Sequence, residues 1–515
     1  MKLEEVVKGM IDFEIIGDPT QMINGLSYDS RRVKPGDVFI ALRGHGQDGH
    51  NFFADALTKG AVVLVGERFS GIREDVTRVR VSDTREALSK MAIQYYGRPF
   101  DGLNLIGITG TNGKTTTSYL LESILVAGGA KPGVVGTINY RFLGRTLPAP
   151  VTTPESLDLM CLLREMADGG ATDVIMEVSS HALDQKRTEG CPFKVAIFTN
   201  FTRDHLDYHR TMEGYFEAKS LLFRNLVRDE TGDQSVAILN MDDPKGEELA
   251  AITKAKVMTY GMRRACDVRA ESISADKGGL KAKLVTPKGE RSFRSKLIGE
   301  INIYNILSAS AAAVALNIGL EKVIEGIENL QTVPGRLEPV PNPRGLTIIV
   351  DYAHTPDALM KALRDVKPFV KGRLITVFGC GGDRDKGKRF EMGLVAGESS
   401  DLVFITSDNP RSEKPLSIMR QIEKGVQKSG LTEIAESVDH LEEKAGYMME
   451  ADRRLAIRRA VSVADEKDLV LIAGKGHEDY QIVGGEKRHF DDREEASLAA
   501  QLVERGAEEK GSKRE

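Results

Sequence analysis

A glycine-rich stretch, Gly-Thr-Asn-Gly-Lys-Thr-Thr at 110–116, constrains the fold of this chain more than any other feature. An apolar run at 103–108 precedes it, and a helical pattern at 118–127 follows it. The apolar run predicts a buried strand. A strand, a glycine turn and a helix in that order hold a phosphate chain, because the N–H groups of the turn and the positive helix end face the anion. The stretch therefore predicts an α/β domain that binds a nucleotide.

The residue types within 110–116, which we call the P-loop, indicate ATP and Mg²⁺. Lys114 is expected to reach the terminal phosphates and the Thr115 hydroxyl to bind Mg²⁺. The usual pattern has a glycine at position 108, where this chain has isoleucine, and Gly110 lies inside the loop instead. A tight structural turn is the alternative interpretation. The predicted nucleotide contacts in the loop are Gly110, Thr111, Asn112, Gly113, Lys114, Thr115 and Thr116.

Charge and cysteine content narrow the class of protein. Lys and Arg number 71 against 76 Asp and Glu, a net charge of −5, so there is no bulk electrostatic case for binding nucleic acid or an anionic membrane. The four cysteines lie far apart, without a CxxC pair, which favours reduced thiols over a disulfide or zinc framework. The chain shows no signal peptide and no apolar run of about 18–20 residues. We therefore expect a cytoplasmic protein.

The length of 515 residues predicts three domains at about 100–200 residues each. The fold class is predicted as α/β, with a small α/β N-terminal domain at 1–98. A central P-loop domain with a parallel sheet is predicted at 99–332 and a Rossmann-like C-terminal domain at 333–503. Residues 262–297 are predicted as a small β-rich excursion. The charged tail at 504–515 is expected to fray.

Short apolar runs bounded by turn residues predict the buried strands. The predicted strands are 38–42 and 61–65 in the first domain, 103–108, 173–177, 195–200 and 236–240 in the second, and 346–350, 374–378, 402–406 and 469–473 in the third. The predicted helices are 52–59, 303–316 and 320–330, with others beginning near 115, 156 and 212. Because parallel strands carry their ligand site at their carboxyl ends, we expect Gly110, Glu177 and Asn200 on one rim.

Two polar groups near the P-loop are candidate metal ligands. Glu177 ends a predicted strand, and its carboxylate is expected to complete a Mg²⁺ shell with Thr115, since hard cations prefer oxygen ligands. A capping glutamate is the alternative. His205 and His209 are four residues apart, but the H-E-x-x-H motif of a zinc protease is absent. A metal or phosphate contact is expected for His205, and a structural histidine is the alternative.

The loops after the C-terminal strands carry groups suited to a zwitterionic amino acid. The motif Asp-Asn-Pro-Arg at 408–411 offers a guanidinium and a carboxamide that can fork a carboxylate, and Arg389 offers a second guanidinium. A backbone carbonyl at Gly474 and the carboxylate of Glu478 suit an ammonium group. Ordinary strand-end loops are the alternative. Lys219, from the residues alone, is interpreted as a solvated helix lysine.

Taken together, several motifs occur in an order and at spacings that resemble the Mur ligase family. They are residues 110–116, Glu-Val-Ser-Ser-His at 177–181, 200–209, Asn-Ile-Tyr-Asn at 302–305, Pro-Gly-Arg at 334–336 and Asp-Tyr-Ala-His at 351–354. The motifs at 408–411 and 474–478 resemble those of members that add diaminopimelate, and the resemblance covers the chain except its tail. It implies an ATP-dependent amide-bond ligase that adds meso-diaminopimelate to UDP-N-acetylmuramoyl-L-alanyl-D-glutamate. The implied route is an acyl phosphate, the implied cofactors are ATP and Mg²⁺, and the implied process is peptidoglycan precursor synthesis.

The resemblance also implies roles for individual residues. The N-terminal domain would hold the UDP part through Ser30 and His45. The implied contacts of the muramoyl dipeptide are Thr152, Thr153, Ser179, Gln185 and Arg187. The implied nucleotide contacts outside the P-loop are Asn302, Asn305, Arg336 and Asp351. The implied diaminopimelate contacts are Arg389, Asp408, Asn409, Pro410, Arg411, Gly474 and Glu478.

The resemblance replaces the interpretation of Lys219 as a solvated lysine. The position matches a lysine that is carbamylated in the family, and a carbamate is an anionic oxygen ligand where a free amine would be a cation. The implied metal ligands are Thr115, Glu177, His205 and Lys219. The implied catalytic residues are Lys114, Lys219 and His205.

Three other functions remain open at this point. An L-lysine-adding ligase of the same build is the nearest, and Arg411 speaks against it because lysine lacks the second carboxylate of diaminopimelate. A folylpolyglutamate synthetase-like ligase shares a similar P-loop but not the 408–411 motif. A nucleotide-dependent switch that makes no bond is the third. A monomer without nucleic-acid partners or membrane insertion is expected.

Overall fold

The computed structural model describes residues 1–44, 46–226, 234–276, 278–434 and 445–512, with the side chains of the last helix described as far as 504. The described elements gather around three main sheets, which follow one another along the chain. Within these residues, no helix combines the length and apolarity needed to cross a membrane. The predicted α/β class with three successive units is confirmed.

The N-terminal unit is a five-stranded sheet with three short helices. Its strands are β1 Phe13–Ile16, β2 Gly25–Ser27, β3 Asp37–Ile40, β4 Val63–Gly66 and β5 Thr77–Val81. Its helices are α1 Leu3–Val6, α2 Phe53–Thr58 and α3 Thr84–Tyr95. The order is β1-β5-β4-β3-β2, parallel except for β1. The predicted strands at 38–42 and 61–65 correspond to β3 and β4.

The central unit is built on an eleven-stranded sheet. Its strands are β6 Asn104–Thr109, β7 Pro132–Val135, β8 Asn139–Phe142, β9 Arg145–Pro148, β10 Asp173–Glu177, β11 Phe193–Phe198, β12 Val236–Asn240, β13 Lys256–Gly261, β14 Val268–Asp276, β15 Gly279–Thr286 and β16 Gly289–Ser295. Its helices are α4 Lys114–Ala127, α5 Ser156–Asp168, α6 Ser180–Asp184, α7 Leu206–His209, α8 Met212–Arg224, α9 Pro244–Ile252, α10 Ile301–Ala315 and α11 Leu320–Asn329. The strand order is β16-β15-β14-β13-β12-β11-β6-β10-β7-β8-β9.

Strand β6 lies in the middle of this sheet, between β10 and β11, and all three run parallel. Their carboxyl ends therefore meet at one rim, as predicted for the P-loop, Glu177 and Asn200. The predicted excursion at 262–297 is a continuation of the same sheet, since β14 pairs with β13 and then forms an antiparallel meander with β15 and β16.

The C-terminal unit repeats the parallel arrangement on a six-stranded sheet. Its strands are β17 Glu338–Pro339, β18 Thr347–Asp351, β19 Leu374–Phe378, β20 Leu402–Thr406, β21 Gly446–Glu450 and β22 Leu469–Ala473, with a separate hairpin of β23 Tyr480–Val483 and β24 Glu486–His489. Its helices are α12 Pro356–Val366, α13 Gly387–Ser399, α14 Pro415–Lys428, α15 Arg453–Ser462 and α16 Asp492–Ser512. The order is β17-β18-β22-β19-β20-β21, parallel except for β17.

The tail at 504–515, which is expected to fray, is described as far as Ser512. Helix α16 continues through it to Ser512. The helix begins against α15, so the final turns extend an element that is already anchored.

The first two units share a continuous apolar core. One cluster of buried residues extends from Leu3 and Leu88 in the first unit to Leu163 and Leu239 in the second. Polar contacts across the same junction join Lys186 to two carboxylates of the first unit. Burial of this kind supplies most of the free energy that holds units together, roughly 25 cal/mol per Å² of apolar surface. The junction between the first and second units is therefore a packed interface.

Candidate functional site

The P-loop joins β6 to α4 in a conformation that needs glycine at two positions. Gly110 has φ of +143°, and a Cβ there would lie 1.9 Å from the Thr199 hydroxyl oxygen. Gly113 has φ of +88°, and a Cβ there would lie 2.4 Å from the Asn305 side-chain oxygen. Steric constraints therefore require glycine at position 110, although the usual glycine at position 108 is absent. Thr111, Asn112 and Thr116 complete the loop, and the Thr111 N–H donates to the Asn200 carbonyl over 2.8 Å.

The amino end of α4 has no side-chain cap, and its N-cap position is Gly113. Helix N-termini leave N–H groups without intrahelical partners and carry a partial positive charge. The neighbouring Lys114 ammonium donates to the carbonyls of Gly110 and Thr111 over 2.8 and 2.9 Å. Burial lowers the pKa of Lys114, while Glu177 and Asp204 act in the opposite direction. The loop therefore presents N–H groups and a lysine to one space, which suits an anion.

Glu177 is held beside this loop by three hydrogen bonds. Its carboxylate accepts from the Thr115 hydroxyl over 2.9 Å, from the Thr137 hydroxyl over 2.8 Å and from the Thr137 N–H over 3.1 Å. Arg336 donates to the same Thr115 hydroxyl over 3.2 Å. Thr115 and Glu177 are thus in contact, as their predicted shared role requires. Thr137 was missed, because no pattern in the sequence links a residue after β7 to one after β10.

A smaller cavity of about 230 Å³ opens over the P-loop. It is lined by loop residues, by residues near the β10 rim and by the four nucleotide contacts predicted outside the loop, Asn302, Asn305, Arg336 and Asp351. Asn302 and Asn305 are buried and bonded to each other over 2.9 Å. Burial raises the pKa of Asp351, although Arg336 opposes the shift. All of these predicted contacts converge on one cavity.

Lys219 is buried in the same region and is not a solvated lysine. It is 1% exposed, and its ammonium donates to the Gly110 carbonyl over 2.9 Å and lies 4.5 Å from the Tyr215 ring centre. Burial lowers its pKa well below the ordinary value, and the nearby Lys114 adds to the effect. This shift increases the fraction of uncharged amine, which is the form that reacts with CO₂.

His205 lies at the same rim, in a left-handed backbone conformation with φ of +54°. Its Nε2 atom is 3.4 Å from the Asp204 carboxylate, and its ring packs edge-on against His181 at 4.9 Å between ring centres. Burial lowers the pKa of His205 to about 3, despite the attraction of Asp204. Burial likewise lowers the pKa of His181 to about 4, with His209 adding to the shift. These rings are therefore neutral near pH 7, the form in which an imidazole nitrogen binds a metal.

The side chains of Thr115, Glu177 and His205 are the candidate ligands of Mg²⁺ in this region. Among the described residues, no group of three or more His, Cys, Asp or Glu side chains is arranged to hold a metal. Mg²⁺ keeps several waters and takes only one or two carboxylates together with substrate phosphates. Thr115 and Glu177 supply a hydroxyl and a carboxylate in contact beside the predicted phosphate position, and His205 lines the same cavity. This donor set fits Mg²⁺ and is too sparse for a structural zinc site.

The residues expected to hold a muramoyl dipeptide form a connected network. Arg187 donates to the Thr153 carbonyl over 2.9 Å and to the Gln185 side chain over 2.7 Å. The Thr153 hydroxyl accepts from the Ser179 N–H over 3.1 Å. Thr152 and Ser179 both line the smaller cavity. The network therefore joins the P-loop space to the surface beyond Arg187.

The two contacts predicted in the N-terminal unit are Ser30 and His45. Ser30 is buried, and its carbonyl accepts from the Lys59 ammonium over 3.0 Å. It lines neither of the two cavities described here. His45 lies outside the described residues, so its expected contact stays a prediction.

A larger cavity of about 630 Å³ adjoins the smaller one. The two share four lining residues, Asp204, His205, Tyr352 and His354. The predicted C-terminal residues that line the larger cavity are Asp408, Asn409, Arg411, Gly474 and Glu478. The P-loop and the 408–411 motif, which belong to different units, therefore open onto adjoining spaces.

The ammonium group of Lys475 lies beside the two carboxylates of the larger cavity, Asp408 and Glu478, and was not predicted from the sequence. Lys475 is fully buried, and its ammonium lies 3.3 Å from Glu478, 3.3 Å from the Asn409 side-chain oxygen and 3.8 Å from Asp408. Burial raises the pKa of Glu478, with Asp408 adding to the shift and Lys475 opposing it. Lys475 stands between Gly474 and Glu478 in the sequence, but its burial depends on the surrounding sheet and has no local signal.

Arg411 is one of the basic side chains that line the larger cavity, and its backbone is held by two hydrogen bonds. Its N–H donates to the Ile482 carbonyl over 3.1 Å, and its carbonyl accepts from the Gly484 N–H over 2.9 Å. The guanidinium donates to the Gly382 carbonyl over 2.8 Å through Nη1. Pro410 precedes it, and the Pro410 carbonyl packs against Gly382, leaving no room for a Cβ there. Arg411 is thus a fixed guanidinium at the cavity wall.

Two of the side chains predicted to contact diaminopimelate, Arg389 and Asn409, have partners within the protein. Arg389 is completely buried and does not line the cavity, because its guanidinium is bound to Glu413 over 2.8 Å and to the Gly381 carbonyl over 3.2 Å. Through these contacts Arg389 supports the loop that forms the cavity wall. The Asn409 amide is also engaged, since it donates to Glu478 over 2.8 Å.

Other polar residues of the shared region had no individual role predicted, although two of the motifs named in the sequence analysis contain Arg203, Asp204 and His354. Asp204 and His354 line both cavities, and Lys388 and Arg203 line the larger one. Lys388 donates to the His354 carbonyl over 2.8 Å, and Arg203 of the central unit pairs with Glu391 of α13 over 3.3 Å. The first contact joins two loops of the C-terminal unit, and the second joins the central unit to the C-terminal unit.

Comparison with known proteins gives consistent results over the whole chain. Three family models match: the Mur ligase middle domain at 108–313, the Mur ligase glutamate ligase domain at 335–476, and the catalytic domain of the Mur ligase family at 22–96. Each of the three units thus carries a match.

Individual relatives match at full length. A protein of Geobacter metallireducens named UDP-N-acetylmuramoyl-L-alanyl-D-glutamate–2,6-diaminopimelate ligase is 49% identical over 97% of this chain and 98% of its own. A protein of the same name from Geobacillus kaustophilus is 45% identical over 98% of this chain and 100% of its own. A solved structure of a ligase with this name is 32% identical, with a TM-score of 0.67, over 98% of this chain and 99% of that one.

Proposed function

The chain belongs to the Mur ligase family, and we propose that it joins meso-diaminopimelate to the D-glutamate of UDP-N-acetylmuramoyl-L-alanyl-D-glutamate at the expense of ATP. The observation that carries the proposal is the pair of adjoining cavities. One lies over the P-loop, the other is walled by Arg411 and Glu478, and four residues line both. A ligase needs such an arrangement, because a phosphoryl donor, a carboxylate and an amine must meet in one space.

ATP is proposed to bind with its phosphates in the P-loop. The uncapped amino end of α4 and the Lys114 ammonium face the smaller cavity, and the buried Asn302 and Asn305 line its far side. The carbonyls of Gly110 and Thr111 hold the Lys114 ammonium close to the loop. Thr115, Glu177 and His205, with a carbamylated Lys219, are proposed to hold Mg²⁺, which would neutralise charge on the phosphates.

The reaction is proposed to pass through an acyl phosphate. A free carboxylate is a poor acyl donor, because attack on it must expel oxide. An oxygen of the D-glutamyl carboxylate attacks the terminal phosphorus of ATP, the bond to the leaving ADP oxygen breaks, and a mixed anhydride forms. Lys114 and the N–H groups of the P-loop stabilise the charge on the transferred group. Thr152, Ser179 and Arg187 hold the acyl substrate beside it.

The amino acid is proposed to bind in the larger cavity, with one end at each charged wall. The ammonium end faces Asp408 and Glu478, and the second carboxylate faces the guanidinium of Arg411. The amine nitrogen attacks the acyl carbon, the carbon–oxygen bond to phosphate breaks, and the nitrogen gives up a proton. The product is an amide together with ADP and phosphate. Because L-lysine lacks the second carboxylate, it would leave Arg411 without a partner.

The remaining assignments belong to the same proposal. The UDP part is placed in the N-terminal unit, with Ser30 and His45 as contacts. Since each predicted contact group comes from one chain, we propose a monomer, and the nucleotide-linked substrate and ATP make the cytoplasm the site of the reaction. The end product is a precursor of the cell wall.

The experiment that tests the proposal is phosphate release with the purified chain, ATP, Mg²⁺ and the UDP-dipeptide. Each candidate amino acid is added in turn, with meso-diaminopimelate and L-lysine compared directly. The expected result is release only when diaminopimelate is present, together with a product whose mass equals the sum of both substrates less one water. Release with L-lysine at equal or higher kcat/KM would favour the lysine-adding alternative. ATP binding without release under any condition would favour the switch.

A further inference from the structure

A fully buried ion pair lies beneath the larger cavity, outside the groups that face it. Arg453 is the first residue of α15, and Asp492 is the first residue of α16. Both side chains are 0% exposed. The Nε and Nη2 atoms of Arg453 donate to separate oxygens of the Asp492 carboxylate, each over 2.7 Å. This is the bidentate geometry that makes an arginine–carboxylate pair strong and directional.

The same guanidinium also binds the carboxyl ends of two strands. Its Nη2 donates to the carbonyl of Ala473, the last residue of β22, over 3.0 Å, and its Nη1 donates to the carbonyl of Ser407, directly after β20, over 3.3 Å. The next residues along the chain are Asp408 and Gly474, and both line the larger cavity. One side chain therefore fixes the starting points of both loops that form the cavity wall.

Stability alone does not explain an ion pair at this depth. Taking two charges out of water is costly, and apolar residues of the same volume often give equal or greater stability. Two neighbouring backbone carbonyls and a carboxylate, however, need several donors in one plane, and a guanidinium is the side chain that provides them. The pair is thus suited to holding two strand ends at a set spacing.

We propose that Arg453, held by Asp492, is a positioning residue for the amino-acid substrate, because it sets the distance between the 408–411 loop and the 474–478 loop. The inference rests on the proposed function and extends it to residues that contact no substrate. Arg411 lies on one of these loops and Glu478 on the other, so their separation determines the length of amino acid that spans them.

The same sheet offers a matched control at its opposite edge. Arg373 and Asp468 directly precede β19 and β22, and they form an ion pair over 2.7 Å in which Asp468 is 1% exposed. Arg373 also donates to a backbone carbonyl, that of Val463, over 2.6 Å. This pair has the same chemistry as Arg453 with Asp492, but it lies at the amino ends of the strands, away from the cavity.

The test compares Arg453→Lys with Arg373→Lys in the full-length chain, by steady-state phosphate release with the UDP-dipeptide. Lysine keeps the charge but cannot bind the carboxylate and both carbonyls at once. We expect Arg453→Lys to raise the KM for diaminopimelate about 10- to 100-fold, as small misplacements of binding groups do. The KM for ATP should stay within about twofold, and Arg373→Lys should leave both values near those of the wild type.

A second variant separates geometry from folding. Arg453→Met combined with Asp492→Leu removes both charges together, which cores commonly tolerate. We expect it to fold, judged by circular dichroism and thermal unfolding, and to show the same selective rise in KM for diaminopimelate.

The outcomes are decisive in each case. A folded Arg453 variant with an unchanged KM for diaminopimelate would overturn the inference, as would an equal rise in both KM values or the same rise in Arg373→Lys. Loss of folding in both Arg453 variants, with Arg373→Lys folded, would also overturn it, since the pair would then serve stability. Failure of the proposed function is distinguishable, because the wild-type chain itself would release no phosphate with diaminopimelate, and both proposals would fall.

Discussion

The side-chain ammonium groups of Lys114 and Lys219 donate hydrogen bonds to the same backbone oxygen, the carbonyl of Gly110, over 2.8 and 2.9 Å. Two cations at such short range repel each other, and burial lowers the pKa of each. Negative charge near Lys114, or loss of the charge on Lys219, would reduce this repulsion. A bound phosphate chain would supply the first, and carbamate formation would supply the second.

Replacing Lys219 by alanine is expected to reduce kcat by about 100-fold or more, because an anionic ligand of the proposed Mg²⁺ site is lost. In the wild type, ¹³C-labelled bicarbonate should give a carbamate signal in the NMR spectrum, and this signal should be absent from Lys219→Ala. Lys245→Ala, which changes a partly buried lysine paired with Glu248, serves as the control. A carbamate signal that persists in Lys219→Ala would place the modification elsewhere.

Replacing Lys114 by alanine is expected to lower phosphate release by about 10²–10³-fold, since a group that stabilises charge on the transferred phosphoryl is removed. The circular dichroism spectrum should not change, because the lysine bonds only to carbonyls of its own loop. Lys131→Ala alters an exposed lysine beyond the other end of α4 and should keep wild-type turnover. Retained turnover in Lys114→Ala would remove the P-loop from the chemistry.

Arg411→Ala is expected to raise the KM for diaminopimelate by at least about 30-fold, since truncating one partner of a buried charged pair costs roughly 2–5 kcal/mol. The KM for ATP should change little, and turnover with L-lysine should be less affected because lysine has no second carboxylate. Steady-state kinetics with each amino acid measure the effect. Arg420→Ala, an exposed arginine of α14, is the control. Equal rises in the two KM values would contradict the assignment of Arg411.

The ion pair of Arg389 with Glu413 gives a pH dependence of stability. Hydrogen bonding to Arg389 lowers the pKa of Glu413 to about 2, from about 4.3 in an unfolded chain. A carboxyl group whose pKa is lower in the folded state stabilises it above the unfolded value, and the benefit is lost as pH falls from about 4.3 to about 2. Glu413→Gln should therefore lower stability by about 1–3 kcal/mol at pH 7. The difference from the wild type should shrink below about pH 4.

Thermal unfolding midpoints of the two proteins between pH 7 and pH 3 check this expectation. Asp75→Asn breaks an exposed ion pair with Arg73, and such pairs contribute little. Its pH-dependent difference from the wild type should be much smaller than that of Glu413→Gln. A gap between Glu413→Gln and the wild type that stays constant down to pH 3 would contradict the role of the Glu413 charge.

The strands that sequence predicted best are those buried on both faces. β10, β12, β19, β20 and β22 have the predicted bounds, because a short apolar run between turn residues leaves few alternatives. The hairpin of β8 and β9 was not predicted. Every residue of β9 is exposed, so no apolar alternation marks it. The meander of β14 to β16 was foreseen as β structure, but its place in the central sheet depends on pairing with β13.

The residues of the candidate site also fall into two groups, those that could be placed from the sequence and those that could not. Residues at or just beyond the ends of predicted strands, such as Glu177 and Asp408, could be placed at a rim from the sequence, because strand ends of a parallel sheet meet there. Lys475 and Thr137 could not, since their roles depend on neighbours brought near by the fold. Arg389 is predicted as a substrate contact, and the sequence does not show that its guanidinium binds Glu413, 24 positions later. A charge in a motif does not reveal which partner it will find.

Arg336 occupies the connection between the second and third units, and its guanidinium bonds to the Thr115 hydroxyl and lies 4.5 Å from the Tyr352 ring centre. The segment that connects the second and third units thus contacts the P-loop through Thr115 and the shared wall of both cavities through Tyr352. A rotation of the C-terminal unit that displaces Arg336 would also act on the Thr115 hydroxyl. Ligand binding in one cavity would in this way be coupled to the geometry of the other.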